Sequence, residues 1–308
     1  MVNNKIGYAC INMALSYPTK YGNKPRGTQP ITTNRSMIKR TFEDKGVDYA
    51  SELILQNVKD LNQIISWNVI NGYDFYRMSS DITPWKTEYE WDDLKDIEQI
   101  RQWFHSAGTM ATTHGIRLTT HPGPFNVLVS PHDHVVDNCV KDLTIHGDVM
   151  DMMGLSRTPY NKINIHLGGV YGDKESAMDR FCKNFYKLPE SVQTRLTVEN
   201  DDKASMYSVK ELYDGIYTRI GIPIVFDYHH HRFCDGGLSE QEALELASST
   251  WGDIKPVVHY SESRSIEQED SKIRPQAHSD YVLDYIDTYG QEVDIMVEAK
   301  MKELAVNK

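Results

Sequence analysis

RLTVEND, at residues 195–201, is a short apolar run that ends on a carboxylate, Glu199. Its neighbours along the chain repeat the pattern. KINIHLG at 162–168 carries His166, and IRLTTHPG at 116–123 carries His121. IPIVFDYHHH at 222–231 carries Asp227 and His230, KPVVHYS at 255–261 carries His259, and VDIMVEAK at 293–300 carries Glu298. Two earlier runs, KIGYAC at 5–10 and FYRMSS at 75–80, complete a set of eight. Six consecutive strands that deliver potential metal ligands at the same end are not a random scatter. In a closed parallel barrel those ends converge on one face, where such enzymes do their chemistry.

Helical stretches alternate with the strands. Residues 51–71 place Leu53, Ile54, Val58, Leu61, Ile64 and Ile65 at helical spacing. Residues 96–114 open on acidic residues that suit a helix N-terminus. Further helices are expected at 131–153, 173–187, 208–220, 239–251 and, with looser bounds, 278–289. This alternation implies parallel pairing with right-handed crossovers. Eight strands predict an α/β fold, a single (β/α)8 TIM barrel, with a metal cluster at the C-terminal face of the strands. Its 308 residues suit such a barrel with a few insertions. An open doubly wound sheet competes, but no GxGxxG follows the first strand. With no low-complexity segment, short repeat or Pro/Gly/Ser linker, residues 1–308 read as one domain. The irregular stretches 16–46, 80–91 and 261–277 all follow strands, so all are expected on the catalytic face.

Composition narrows the classes. No apolar run approaches the length of a membrane span. The N-terminal MVNNKIGYACINMAL lacks a basic head, a long apolar core and a cleavage site, and reads as the first strand. Cys10, Cys139, Cys182 and Cys234 form no CxxC pair, which suggests a reducing, intracellular and cytoplasmic setting. Any metal site must then use carboxylates and some of the 12 histidines. A net charge of −11 argues weakly against nucleic acid. The average hides an asymmetry, because residues 1–42 carry Lys5, Lys20, Lys24, Arg26, Arg35, Lys39 and Arg40 and no acid. A basic rim beside an acidic metal site suits a phosphate-backbone substrate; a solvated loop is the plainer reading.

Taken singly, His121, His166 and His259 are more often packed or capping residues than ligands. Carboxylates ending apolar strands, as Glu199, Asp227 and Glu298 do, are costly unless paired or metal-bound. Lys300 offers Glu298 a salt bridge as an alternative. Together these groups would repel and desolvate one another without compensating cations, and divalent ions resolve that conflict. Imidazole with carboxylate and no thiolate suits Mn2+, Zn2+, Co2+ or Fe2+ better than Ca2+ or Mg2+. At least seven potential ligands predict two or three ions, able to clamp the attacking and leaving oxygens of a phosphodiester.

The strings GYACINMAL, RMSSDITP, THPGP, IHLGG, ENDD, FDYHHH, VHYSES, HSDYV and MVEAKMKE, in this order, resemble the UV damage endonucleases, TIM-barrel nucleases related to endonuclease IV. The resemblance runs from Gly7 to Leu304. It implies nicking of damaged double-stranded DNA 5′ to cyclobutane dimers, 6-4 photoproducts and some other lesions, including abasic sites, leaving 3′-hydroxyl and 5′-phosphate ends. It implies three metal sites. Glu199 would bridge two ions, one also held by Asp227, His259 and Glu298, the other by His121 and His166. A third ion would use His230 and His278. Mn2+ is the expected ion, with Zn2+, Co2+ or Mg2+ as alternatives. Tyr8 and Asn12 match an active-site Tyr and Asn and join Glu199 as candidate catalytic residues.

Two departures from the family pattern stand out. The Gln-Tyr dipeptide that commonly follows HPG and wedges into the duplex is Pro124-Phe125 here. Phe125 can still stack on bases, whereas Pro124 brings no amide. A lysine commonly found two residues before the His of VHYS, carboxylated in some members, is Val257 here; Lys255 lies one pleat deeper. Phe125, Pro124, Arg35, Lys39 and Arg40 are the expected DNA contacts, and the protein is expected to be a monomer that binds no membrane. General abasic-site cleavage and a metal-dependent sugar isomerase or epimerase on the same barrel are the rival functions.

Overall fold

The computed structural model describes residues 4–306, so the outermost residues of the expected 1–308 domain lie outside the described residues. The strands are β1 (Ile6–Ala9), β2 (Phe75–Met78), β3 (Arg117–Thr120), β4 (Ile163–His166), β5 (Leu196–Glu199), β6 (Ile224–Asp227), β7 (Val257–Tyr260) and β8 (Asp294–Val297). They form a closed parallel barrel in sequence order, with β1 pairing β8 to shut the ring.

Pleat parity sorts each strand into two faces. Val225, Val257 and Met296 lie two residues before Asp227, His259 and Glu298 and therefore point inward with them. They join Ala9, Phe75 and Trp251 in a separate apolar cluster that fills the barrel interior. Beneath it, fully buried Arg117 donates to Asp294 at 2.9 Å and to the Lys255 carbonyl, and its guanidinium lies over the Tyr160 ring. Gly7 is required where β1 meets β2, since a Cβ there would lie 2.5 Å from the Phe75 carbonyl oxygen.

The helix Lys39–Asn71 presents Ile54, Val58, Leu61 and Ile65 to the barrel wall, all buried. Each such side chain contributes roughly 1.5–3 kcal/mol on leaving water. This helix begins well before the expected residue 51, inside the stretch 16–46 read as irregular. It kinks at Gly46, where φ is 64°. The helices Ile97–Thr113, Asp133–Met152, Lys174–Phe185 and Glu240–Ser249 lie where periodicity places them. The 208–220 segment is helical but broken by a π turn at Tyr213–Tyr217.

The expected helix at 278–289 is absent. Its N–H groups are taken by side chains: Asp280 and Tyr281 donate to Glu267, and Leu283 and Asp284 to Glu262. Ser263 and His278 form an antiparallel bridge instead. A short helix, Arg264–Glu267, occupies part of 261–277. At the ends of the chain, buried Glu303 accepts from the N–H groups of Met13 and Ala14 at 2.8 and 2.7 Å, fastening the turn after β1 to the last helix. No helix among the described residues is long and apolar enough to cross a membrane.

Candidate metal centre

The strand ends converge as the barrel requires. Three triads each bring one ligand atom per residue within 4.8 Å of the others: His121–His166–Glu199, Glu199–Asp227–His230 and Asp227–His259–Glu298. They overlap at Glu199 and Asp227, so the centre is continuous. The first triad and most of the second expected ligand set coincide with the groups inferred above. His230 differs, falling in with Glu199 and Asp227. His278 lies in none of the triads; its ring centre is 6.2 Å from that of His230, and its Nδ1 is 3.7 Å from Glu298.

Glu199 is the hub. Its oxygens lie 3.2 Å from His121 Nε2, 3.1 Å from His259 Nδ1, 3.4 Å from His230 Nδ1 and 3.9 Å from His166 Nε2. Asn164 donates to it from β4 and is itself held by Thr197 at 2.7 Å. Burial works to raise the Glu199 carboxyl, and the charges of His259 and His166 overcome it, holding the group well below the usual carboxylate range. Asp227 goes the other way, pushed up to about 6, chiefly by burial. His166 rises to about 9 because Glu199 and Asp201 outweigh the effect of burial, while burial presses His259 down to about 4.

These residues fit divalent ions. Asp227 Oδ2 is buried without a hydrogen-bond partner. His259 Nδ1 has oxygens of Glu199 and Glu298 at 3.1 Å each, yet neither is aligned as a hydrogen bond. Such lone pairs, aimed at a common space and left unmatched, are costly unless a cation takes them.

Two cations near the cluster correct the expectation that these acids gather uncompensated. Arg77, on the inner face of β2, pairs with Glu298, so Lys300 is not its partner. Fully buried Lys162, just before β4, sets its Nζ 3.1 Å from His259 Nε2 and is lowered to about 7, mainly by burial. Sequence reading passed over both. The available signal was parity: Arg77 follows inward Phe75, and Lys162 precedes inward His166 by four residues.

Other candidates are placed elsewhere. Tyr8 is fully buried on the face of β1 opposite Ala9, donating to Asn68 at 2.7 Å and accepting from Asn12 at 2.9 Å. Asn12 is buried too and caps the helix Met13–Ser16. Arg35 spends its guanidinium on Asp60 at 2.7 Å and on the carbonyls of Thr32 and Pro30. Lys39 and Arg40 are exposed in the first turn of a helix, Lys39 beside Glu43 at 3.8 Å. Phe125 is 65% exposed on the loop after β3. Its ring rests on Gly123, where a Cβ would meet it at 2.4 Å. Pro124 is exposed and lines an open cleft of about 610 Å³ over the triads, with Arg77, Asp202 and Lys203.

The class is therefore an α/β barrel with histidine–carboxylate triads at the C-terminal ends of its strands. L-ribulose 3-epimerase shares the fold at a TM-score of 0.53 with 14% identity, covering 78% of this chain and 76% of that one. At that identity the likeness is of fold alone. The chain belongs to the UV-endonuclease UvdE family, whose profile matches residues 4–308. It is 34% identical over 296 residues to the UV DNA damage endonuclease of Bacillus mycoides, with 92% of this chain and 87% of the relative covered. The Bacillus cereus G9842 protein of the same name is 33% identical, covering 98% of this chain and 92% of the relative. The crystal structure of SacUVDE superposes at a TM-score of 0.80 with 29% identity, covering 98% and 95% of the two chains. The family makes the chain an endonuclease and sets the sugar-isomerase alternative aside.

Proposed function

We propose that the chain repairs UV-damaged DNA by nicking the backbone immediately 5′ to cyclobutane dimers and 6-4 photoproducts, and that it also acts at abasic sites. The observation that carries this reading is the overlap of three ligand triads at Glu199 and Asp227 beneath an open cleft. Two or three divalent ions, Mn2+ first among them, would be held by His121, His166, Glu199, Asp227, His230, His259 and Glu298, with His278 beside them. When bound, such ions neutralise the phosphate and lower the pKa of water, which removes the need for a separate general base.

The rest falls to the chain itself. Asn164 and the histidines hold Glu199 in place, so the ligands are set before substrate arrives. Arg77 keeps Glu298 ionised and adds positive charge at the cleft wall. Phe125, exposed on the loop after β3 and next to Pro124 at the cleft, offers its ring to a base unstacked at a photoproduct. Weakened stacking at the lesion lowers the cost of turning nucleotides out and supplies selectivity. Tyr8 and Asn12, buried together, act by setting the loop after β1 rather than by touching DNA.

The test is incision of duplex oligonucleotides that each carry one defined lesion, with Mn2+ and with EDTA. A nick 5′ to the photoproduct, lost in EDTA, is expected. Cleavage of the abasic duplex alone would make the protein a general abasic-site nuclease.

A further inference from the structure

Three histidines of the centre are held from behind by backbone carbonyls, a fourth faces a carboxylate, and the fifth meets a lysine. His121 Nδ1 lies 3.1 Å from the Pro122 carbonyl, His230 Nδ1 2.9 Å from the Asn200 carbonyl, and His278 Nδ1 3.0 Å from the Glu298 carbonyl. His166 Nδ1 has the Asp201 carboxylate at 3.2 Å as an ion-pair neighbour, without an aligned hydrogen bond. Such partners fix a ring's orientation, and losing one commonly weakens metal binding 10–100-fold. His259 Nε2 has neither a carbonyl nor a carboxylate among the described residues. Its partner is the Lys162 amine at 3.1 Å.

Among the described residues, the Lys162 amine has a single hydrogen-bond partner, His259. Lys162 is fully buried. It enters the interior from β4, in line with Asn164 and His166, and crosses to a histidine on β7, 97 residues away. With the ring proton on Nε2 and donated to the Lys162 amine, Nδ1 turns its lone pair toward Glu199 and Glu298.

We propose that Lys162 is the positioning residue for His259, setting the ring so that Nδ1 faces the ion shared with Asp227 and Glu298. The ion itself rests on the function proposed above; the Lys162–His259 contact does not. Val257 suggests a decisive control. It is buried one pleat below His259 on the same inner face of β7. A lysine there would rise beneath the same ring from a different strand.

The experiment compares wild type, Lys162→Met and the double variant Lys162→Met/Val257→Lys. Two quantities are read: Mn2+ affinity by calorimetry, and the His259 ring 15N shifts in metal-free protein. Lys162→Met should shift the His259 nitrogens, weaken one class of Mn2+ site 10–100-fold and leave the melting temperature within a few degrees. The double variant should regain at least tenfold of that affinity. Unmoved His259 shifts with wild-type Mn2+ affinity in Lys162→Met would overturn the proposal. So would a loss of affinity that accompanies general unfolding and is not regained in the double variant. If wild type takes up no Mn2+ while the His259 shifts still move, the positioning contact stands and the ion assignment falls.

Discussion

Arg77 on β2 and Glu298, just past β8, form an ion pair across the barrel mouth, spanning the width of β1 that lies between them. The crossing is open because the inward residues of β1, Gly7 and Ala9, are small. Burial would raise the Glu298 carboxyl, and Arg77, followed by His259, holds it well below the usual carboxylate range. Arg77→Met should therefore cost the ion-free protein about 3 kcal/mol, the usual penalty for stranding one member of a buried pair. Added Mn2+ should recover part of that loss. Denaturant titrations in EDTA and in Mn2+ measure both, and unchanged stability in EDTA would show that the pair does not matter.

Glu199→Gln should abolish incision and leave the fold standing. An amide cannot balance the charge that Glu199 supplies to two triads. The loss should exceed a thousandfold in rate, or about 4 kcal/mol. Single-turnover cleavage beside a far-ultraviolet dichroism spectrum checks it. Near wild-type nicking would remove Glu199 from the centre.

Phe125→Ala should weaken binding to a damaged duplex by roughly 1–3 kcal/mol, the worth of stacking on a base. Undamaged duplex should bind almost as before. A ring that is 65% exposed contributes little to the core, so the melting temperature should hold. Equal weakening on both duplexes, together with a drop in melting temperature, would make Phe125 a packing residue.

The basic residues after β1 should separate into two kinds. Changing Lys39 and Arg40 to Ala should flatten the salt dependence of DNA binding by about one log unit per lost phosphate contact. Arg35→Ala should instead lower stability by roughly 2 kcal/mol, because it strips a charged partner from buried Asp60. A salt slope altered by Arg35→Ala alone would reverse the assignment.

His229 supplies a pH prediction. Burial, and after it the neighbouring His278, lowers its ring to about 4. The unfolded chain takes up the proton near pH 6.5, while the folded one resists it. Stability from this residue is thus whole above pH 6.5 and is lost as pH falls toward 4. In EDTA, His229→Gln should reduce the loss between pH 7 and pH 5 by about 2 kcal/mol. Parallel curves for variant and wild type would contradict it.

Much of the centre could be read from strand ends, because parity and a carboxylate on an apolar run are local signals. Glu199, Asp227 and Glu298 announce themselves in this way. Their cations do not. Arg77 and Glu298 are 221 residues apart, and only ring closure makes them neighbours. Tyr8, placed at the site by a matched motif, lies on the outer face of β1, held between Asn68 and Asn12. The missing helix at 278–289 has a third cause. Glu262 and Glu267, distant in the pattern, claim the N–H groups that a helix would have used.

Ring closure also has a temporal side. β1 finds its last partner only in β8, and Glu303 adds its hold on the turn after β1. A chain emerging from the ribosome thus carries six ligand-bearing histidines and carboxylates on an open sheet with two bare edges, while Arg77 waits for its acid. Such edges invite pairing with other chains. Glu298 follows every other ligand in chain order, so its pair with Arg77 and the third triad can form only once β8 has been made.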